Sequence, residues 1–280
     1  MAALLALLSS VLWGSADFLG GTLSRARRAT VVVGVSQAAG LLLALVVAAA
    51  AGAFGDDRGY LPWAVLSGVA GVVGLVCFYA ALAAGTMGVV SPIAALGVVV
   101  PVAVGLAEGD RPAQLQLAGI VVAVVGVVLA SGPELSGRAG ARPVLLAGVA
   151  AVGFGLALLA IAKGSRSSTL MTLVTMRVTS VTLLSIALLV ALARGLPRAE
   201  VLMRPRELGL IALVGLGDLS ANLTFGLASR RGTIAVVSVL GSLYPVFTVL
   251  LARVFHHERL GRLQAVGVVL ALVGVVLIAA

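Results

Sequence analysis

Charge is scarce in this sequence. Asp, Glu, Lys and Arg make up 10% of its 280 residues, where a water-soluble domain carries about a quarter. Lysine occurs once, at Lys163, and cysteine once, at Cys77 inside an apolar run. A lone cysteine excludes an internal disulfide and leaves the redox compartment unread. Histidine occurs only as the adjacent pair His256-His257. Neighbouring positions on a helix point to different sides and no third ligand cluster accompanies them, so neither a metal nor a cofactor is expected. There is no phosphate-binding loop, dinucleotide fingerprint or nucleophile elbow. That argues against an ATP-driven pump in this chain alone, and no catalytic residue is nominated. The polar alternation of a barrel strand is missing as well.

What fills the chain instead is apolar. Hydrophobic residues account for 61% and the mean hydropathy is +1.21, so the solvent for most of this chain is lipid. A spanning helix needs about 20 mostly apolar residues. Ten runs approach that length: 2–22, 30–53, 60–83, 87–107, 114–131, 143–162, 169–193, 208–229, 232–252 and 261–280. The first lacks a basic residue ahead of it and continues through Trp13 and Phe18, so it reads as a mature helix and not a signal peptide. The net charge of +9 comes almost wholly from Arg. These arginines lie between the runs, as membrane-flanking anchors and topology signals do. The expected partners are a bilayer and a small-molecule substrate, with no nucleic acid, and the chain is expected to be a monomer or homodimer. The preference for Arg over Lys, with much Ala, Gly and Val, suggests a bacterial source and hence a plasma membrane.

Two stretches repeat. GTMGVVS at 85–91 lies over GTIAVVS at 232–238 with five of seven positions identical. Residues 115–130 lie over 263–278 with ten of sixteen identical, including Gly119/Gly267, Ala123/Ala271 and Gly126/Gly274. A period this long implies a duplicated half and not a solenoid. The expected units are 1–131 and 143–280, joined by a polar linker at 132–142. Five crossings is an odd number, so the second unit starts on the opposite face. The fold class expected is an all-α integral membrane protein of ten transmembrane helices, arranged as two inverted five-helix repeats, an arrangement common in secondary transporters. The small-residue patterns around Gly119 and Gly267 suit packing of the fifth helix against the tenth. With the N-terminus inside, the cytoplasmic turns hold six Lys and Arg residues and the opposite turns twelve, which favours both termini outside.

Polar residues inside spans cost about 2.5–3.5 kcal/mol at the helix centre, so each invites a functional reading. Asp218 stands near mid-span in the eighth run and shares a helical face with Asn222, Phe225 and Ser229. That face is expected to line a cavity, with Asp218 as a proton or substrate site. Asp17 shares a face with Trp13. Its place nearer the end of its span also suits contact with headgroups, or pairing with Arg25 or Arg28. Gln37 and Arg177 hold comparable places in the second and seventh runs; Arg177 either binds an anionic group, pairs with a carboxylate or snorkels. The stripe Thr172, Thr175, Thr179 and Thr182 is expected to satisfy its own helix backbone. Trp13, Phe78, Tyr79, Phe225, Tyr244 and Phe247 are candidate walls. Pro92, Pro101 and Pro245 are candidate kinks or hinges. The polar and proline-bearing positions point to the third, fourth, eighth and ninth helices as the lining, with the fifth and tenth outside.

These features together resemble the EamA family of the drug/metabolite transporter superfamily. The resemblance rests on the two units, Trp13-Gly14, Gly85-Thr86 with Ser91-Pro92 leading into Asp110-Arg111, and Gly232-Thr233 with Ser238 and Pro245 leading into Glu258-Arg259. Each unit then closes on a Leu-Gln-x-x-Gly-x6-Gly helix. The family's usual Gly-Glu is Gly109-Asp110 in the first unit and His257-Glu258 in the second, and its helix-two arginine matches Arg177 but is Gln37 in the first half. The resemblance implies cytoplasmic termini, opposite to the charge count, and a lining that includes the first and sixth helices. It implies a non-enzymatic carrier of a small metabolite or drug working by alternating access, exporting, and coupled to protons or to exchange. The other classes the sequence allows are a lipid-modifying enzyme centred on His256-His257-Glu258 and a lipid-carrier flippase or partner subunit.

Overall fold

In lipid every backbone N–H and C=O must find a partner within the segment or its neighbours, which leaves long apolar runs little choice but the helix. The computed structural model describes residues 1–84, 90, 93–130, 141–197, 201–256 and 261–279, and no strand occurs among them. The helices are α1 (Ala2–Ser24), α2 (Ala29–Ala50), α3 (Leu61–Ala84), α4 (Val99–Ala107), α5 (Gln114–Ala130), α6 (Ala141–Gly164), α7 (Thr169–Ala193), α8 (Pro205–Ser229), α9 (Ile234–Gly241), α10 (Tyr244–His256) and α11 (Arg262–Ala279). The linker at 132–142 falls almost wholly outside the described residues, as do Pro92 and the His257-Glu258 turn.

Among the described residues, six helices have the length and hydropathy to cross a membrane: α1, α2, α3, α6, α7 and α8. The remaining runs form shorter apolar helices, over Ile93–Ala107, Gln114–Leu129, Ile234–Thr248 and Ala265–Ile278. Ten transmembrane helices were expected, and the fourth and ninth runs form shorter helices for a visible reason. The fourth run passes through a 3-10 turn at Leu96–Val98 before α4. The ninth breaks between Gly241 and Tyr244. Pro101 and Pro245 do not interrupt a helical ladder. They occupy the first turns of α4 and α10, where the missing N–H has no intrahelical partner to lose. The breaks fall just ahead of the prolines.

Packing runs between the halves. α1 lies on α8, α3 on α6, α2 on α7 and α8, α4 on α9, and α5 on α11. The α5–α11 seam is backbone against backbone: a Cβ at Gly126 would lie 2.3 Å from the Ala271 nitrogen, and one at Gly274 2.6 Å from the Ala123 nitrogen. With no hydrophobic drive between helices in lipid, such close approach supplies the dispersion contact that holds the pair. Leu42, Leu145, Leu189 and Val276 stand largely exposed on the outer surface, where acyl chains would cover them. On the first half's side, the Asp110 carboxylate accepts a hydrogen bond from the Ala235 N–H at 3.1 Å, meeting one of the donors that the start of α9 leaves open.

Candidate functional site

The helices of both halves close around one cavity with about 90 Å³ open to the centres of water molecules. A single water needs about 10–15 Å³ by that measure, so several fit. The lining comes from α1, α2, α3, α6, α7 and α8 and from the broken ninth run at Gly241 and Tyr244. No described residue of the fourth, fifth or tenth runs takes part. The expectation for α3, α8 and the ninth run therefore holds. The fourth run does not contribute among the described residues, and α2 and α7 were missed. The physical reason is that Pro101 of the fourth run sits in the first turn of α4 and carves no opening, whereas Gln37 and Arg177 bring α2 and α7 inward.

Asp218 is the hub. Its Oδ1 accepts hydrogen bonds from Trp13 Nε1 at 3.0 Å and Asn222 Nδ2 at 3.1 Å. Its Oδ2 accepts from Arg177 Nη2 at 2.8 Å and Gln37 Nε2 at 3.3 Å. Four donors come close to saturating a carboxylate. Arg177 Nη1 donates in turn to Gln37 Oε1, and Ser180 Oγ lies 3.0 Å from the same oxygen. Gln37 thus turns its oxygen to the cation and its amide nitrogen to the carboxylate, which fixes its orientation. Of the three roles open to Arg177, the structure shows pairing with a carboxylate. Arg177 is only 2% exposed, and burying a guanidinium is tolerable only with such a partner.

Close helix contact makes this reach possible. Where α2 crosses α8, a Cβ at Gly215 would lie 2.0 Å from the Ser36 carbonyl oxygen. Glycine alone lets the two backbones touch there, one residue from Gln37 and three from Asp218. A second contact explains Trp13-Gly14: a Cβ at Gly14 would stand 2.6 Å from both Phe247 Cβ and the Tyr244 oxygen. α1 therefore meets α10 at Gly14 while the preceding Trp13 turns to Asp218.

Asp17 is 9% exposed and lines the cavity. Its position toward the span's end had suggested headgroups or arginines; its hydrogen-bond partner is Tyr79 Oη at 3.4 Å. It also lies within electrostatic reach of Asp218. Tyr244 lines the cavity, and its hydroxyl is buried with no hydrogen-bond partner. Phe225 does not reach the lining: it is fully buried and stacks behind Trp13 with ring centroids 5.6 Å apart. Ser229 bonds back to the Phe225 carbonyl at 2.9 Å, so the polar face of α8 ends at Asn222. The threonine stripe behaves as expected where its bonds are seen, with Thr172 on the Ser168 carbonyl at 2.6 Å and Thr179 on that of Thr175 at 2.9 Å. Phe154 and Ser180 were not foreseen. Phe154 lines the cavity and packs edge-on to Phe78 at 5.4 Å, and Ser180's only sequence signal was its i+3 spacing from Arg177.

A helical, multi-pass membrane protein with a charged, water-accessible cavity between two halves is a class well suited to moving solutes. The sequence profile of the EamA-like transporter family matches residues 1–132 and again 141–280, and the chain belongs to that family, part of the drug/metabolite transporter superfamily. No curated protein matches the chain. Among solved structures it is similar to one described only as "Crystal structure of protein", at 19% identity and TM-score 0.80, over 99% of this chain and 95% of that one. That likeness speaks for the fold alone.

Proposed function

We propose that this protein is a secondary active transporter that moves a small metabolite or drug across a bacterial plasma membrane by alternating access, in the export direction and coupled to protons or to exchange. The observation that carries this reading is the cavity between the membrane-length helices, lined from both halves and holding the charged groups Asp17, Asp218 and Arg177. An enzyme needs acid, base and nucleophile converging at one depth. Here the polar groups bind one another and leave space between helices. Ten crossings in two inverted halves fit the packing pattern, because exchanging the halves turns α1 on α8 into α6 on α3 and leaves the α2–α7, α4–α9 and α5–α11 pairs unchanged. Pro101 and Pro245, beside the breaks, are proposed as hinge positions, and Pro92 as a third.

Within this reading the two carboxylates divide the work. Asp218, with Asn222, Trp13, Gln37 and Arg177, is a fixed, internally neutralised frame, and Phe225 braces Trp13 from behind. Asp17, with Tyr79 and Tyr244 beside it, is the exchangeable site. A carrier couples when proton and substrate compete for one group whose access alternates. The test is a panel of metabolites and drugs offered to purified protein in liposomes, with and without an imposed proton gradient. The expected result is gradient-driven accumulation of one solute class by the wild type. Asp17→Asn should lose that accumulation while keeping exchange of solute for solute. No flux of any panel member with either gradient polarity would overturn the carrier reading.

A further inference from the structure

We propose that the cavity selects a protonated amine on a compact apolar or aromatic body. This rests on the carrier reading above and names its substrate class. The charged groups lining the cavity are Asp17, Asp218 and Arg177. Arg177 and Asp218 cancel across a 2.8 Å ion pair. Asp17 is left over, with one long hydrogen bond from Tyr79 to its Oδ1, and no cationic side chain among the described residues contacts it. A desolvated carboxylate so placed calls for a cation.

The cavity is equally clear about what it does not offer. Both terminal nitrogens of Arg177 are engaged, on Gln37 and Asp218. Its Nε lies only 3.3 Å from where a Cβ on Gly40 would stand, so it is turned to the α2 backbone and not to the cavity. An anionic substrate would therefore find no free guanidinium, and it would meet Asp17 and Asp218. An ammonium would find the Oδ2 of Asp17, the unpartnered Tyr244 hydroxyl as an acceptor, and the aromatic side chains of Trp13 and Phe154 in the lining, whose rings attract cations.

The test uses three probes of one shape, benzylamine, benzyl alcohol and benzoate, binding to the purified full chain in detergent, read by titration calorimetry. Benzylamine is expected to bind about ten-fold or more tightly than the other two, the worth of one hydrogen-bonded charge pair. Asp17→Asn should lose that preference and Asp17→Glu should retain it. Asp17→Asn should melt no lower than the wild type, since no ion pair is lost and an amide oxygen can still accept from Tyr79 Oη, so loss of binding will not reflect misfolding. Benzoate or benzyl alcohol binding as well as benzylamine, benzylamine binding that survives Asp17→Asn, or no benzylamine binding at all would each overturn the assignment. Benzylamine binding without flux in liposomes upholds the assignment and counts against the carrier reading. Flux of a neutral or anionic panel solute, with no amine bound, does the reverse.

Discussion

Arg177→Met is expected to destabilise the protein by about 3 kcal/mol, the lower end of the cost of stranding one member of a buried ion pair. The lower end applies because the Asp218 side chain is 18% exposed, against 3% for Arg177, so water in the cavity takes up part of the orphaned charge. Gln37 loses its orientation in the same step, since its oxygen is held by Arg177 and by Ser180. Asp218→Asn should also destabilise, because it strands the less exposed partner. The double variant Arg177→Met/Asp218→Asn removes both charges and should recover most of the loss, giving a coupling energy of about 2 kcal/mol in the cycle. Melting midpoints of the four proteins in one detergent decide it. If the double variant is merely the sum of the singles, the ion pair is not the organising contact and the division of labour between the two carboxylates fails.

Gly215→Val should cost transport without replacing a single polar side chain. Its Cβ alone would press to 2.0 Å from the Ser36 oxygen, so α2 and α8 must separate by more than an ångström, a typical overpacking penalty of about 1–3 kcal/mol. The Gln37–Asp218 hydrogen bond already stands at 3.3 Å and would be lost. The expected result is a drop of about ten-fold or more in solute flux, since hydrogen bonds to charged groups are worth about 1.5–3 kcal/mol. Gly209→Ala is the control. No atom outside its own helix lies within 4 Å of a Cβ there, and both flux and melting should stay at wild-type values. Equal behaviour of the two variants would show that the crossing of α2 and α8 does not set the site.

Much of this was legible because lipid is a strict solvent. The length and hydropathy of the runs announced helices in a membrane, and the price of burying charge singled out Asp218, Arg177, Gln37 and Asp17 without any knowledge of the fold. What the sequence did not carry was who meets whom. Arg177 and Asp218 lie 41 positions apart on separate helices, and no periodicity links them. Asp17 was read from its distance to the end of a run, yet depth is set by how α1 tilts and packs on α8, which a linear count does not see. The prolines drew attention to the fourth helix because a proline mid-run suggests a kink; the helix starts afresh just before each described one, and the signal lost its force. Phe154 and Ser180 were invisible for a plainer reason, being ordinary residues that matter only through their neighbours.

Gln37 and Arg177 hold matching places in α2 and α7, and in the folded protein they hold each other. Two identical five-helix chains assembled as an antiparallel dimer would have to set arginine against arginine there, or glutamine against glutamine. The first repels and the second leaves Asp218 without its counter-charge. Only where the two copies differ in sequence can one of them keep the cation while the other carries an amide, as Arg177 and Gln37 do. The charge balance of the cavity is thus a property that exact symmetry forbids, and the divergence of the two halves is what permits it.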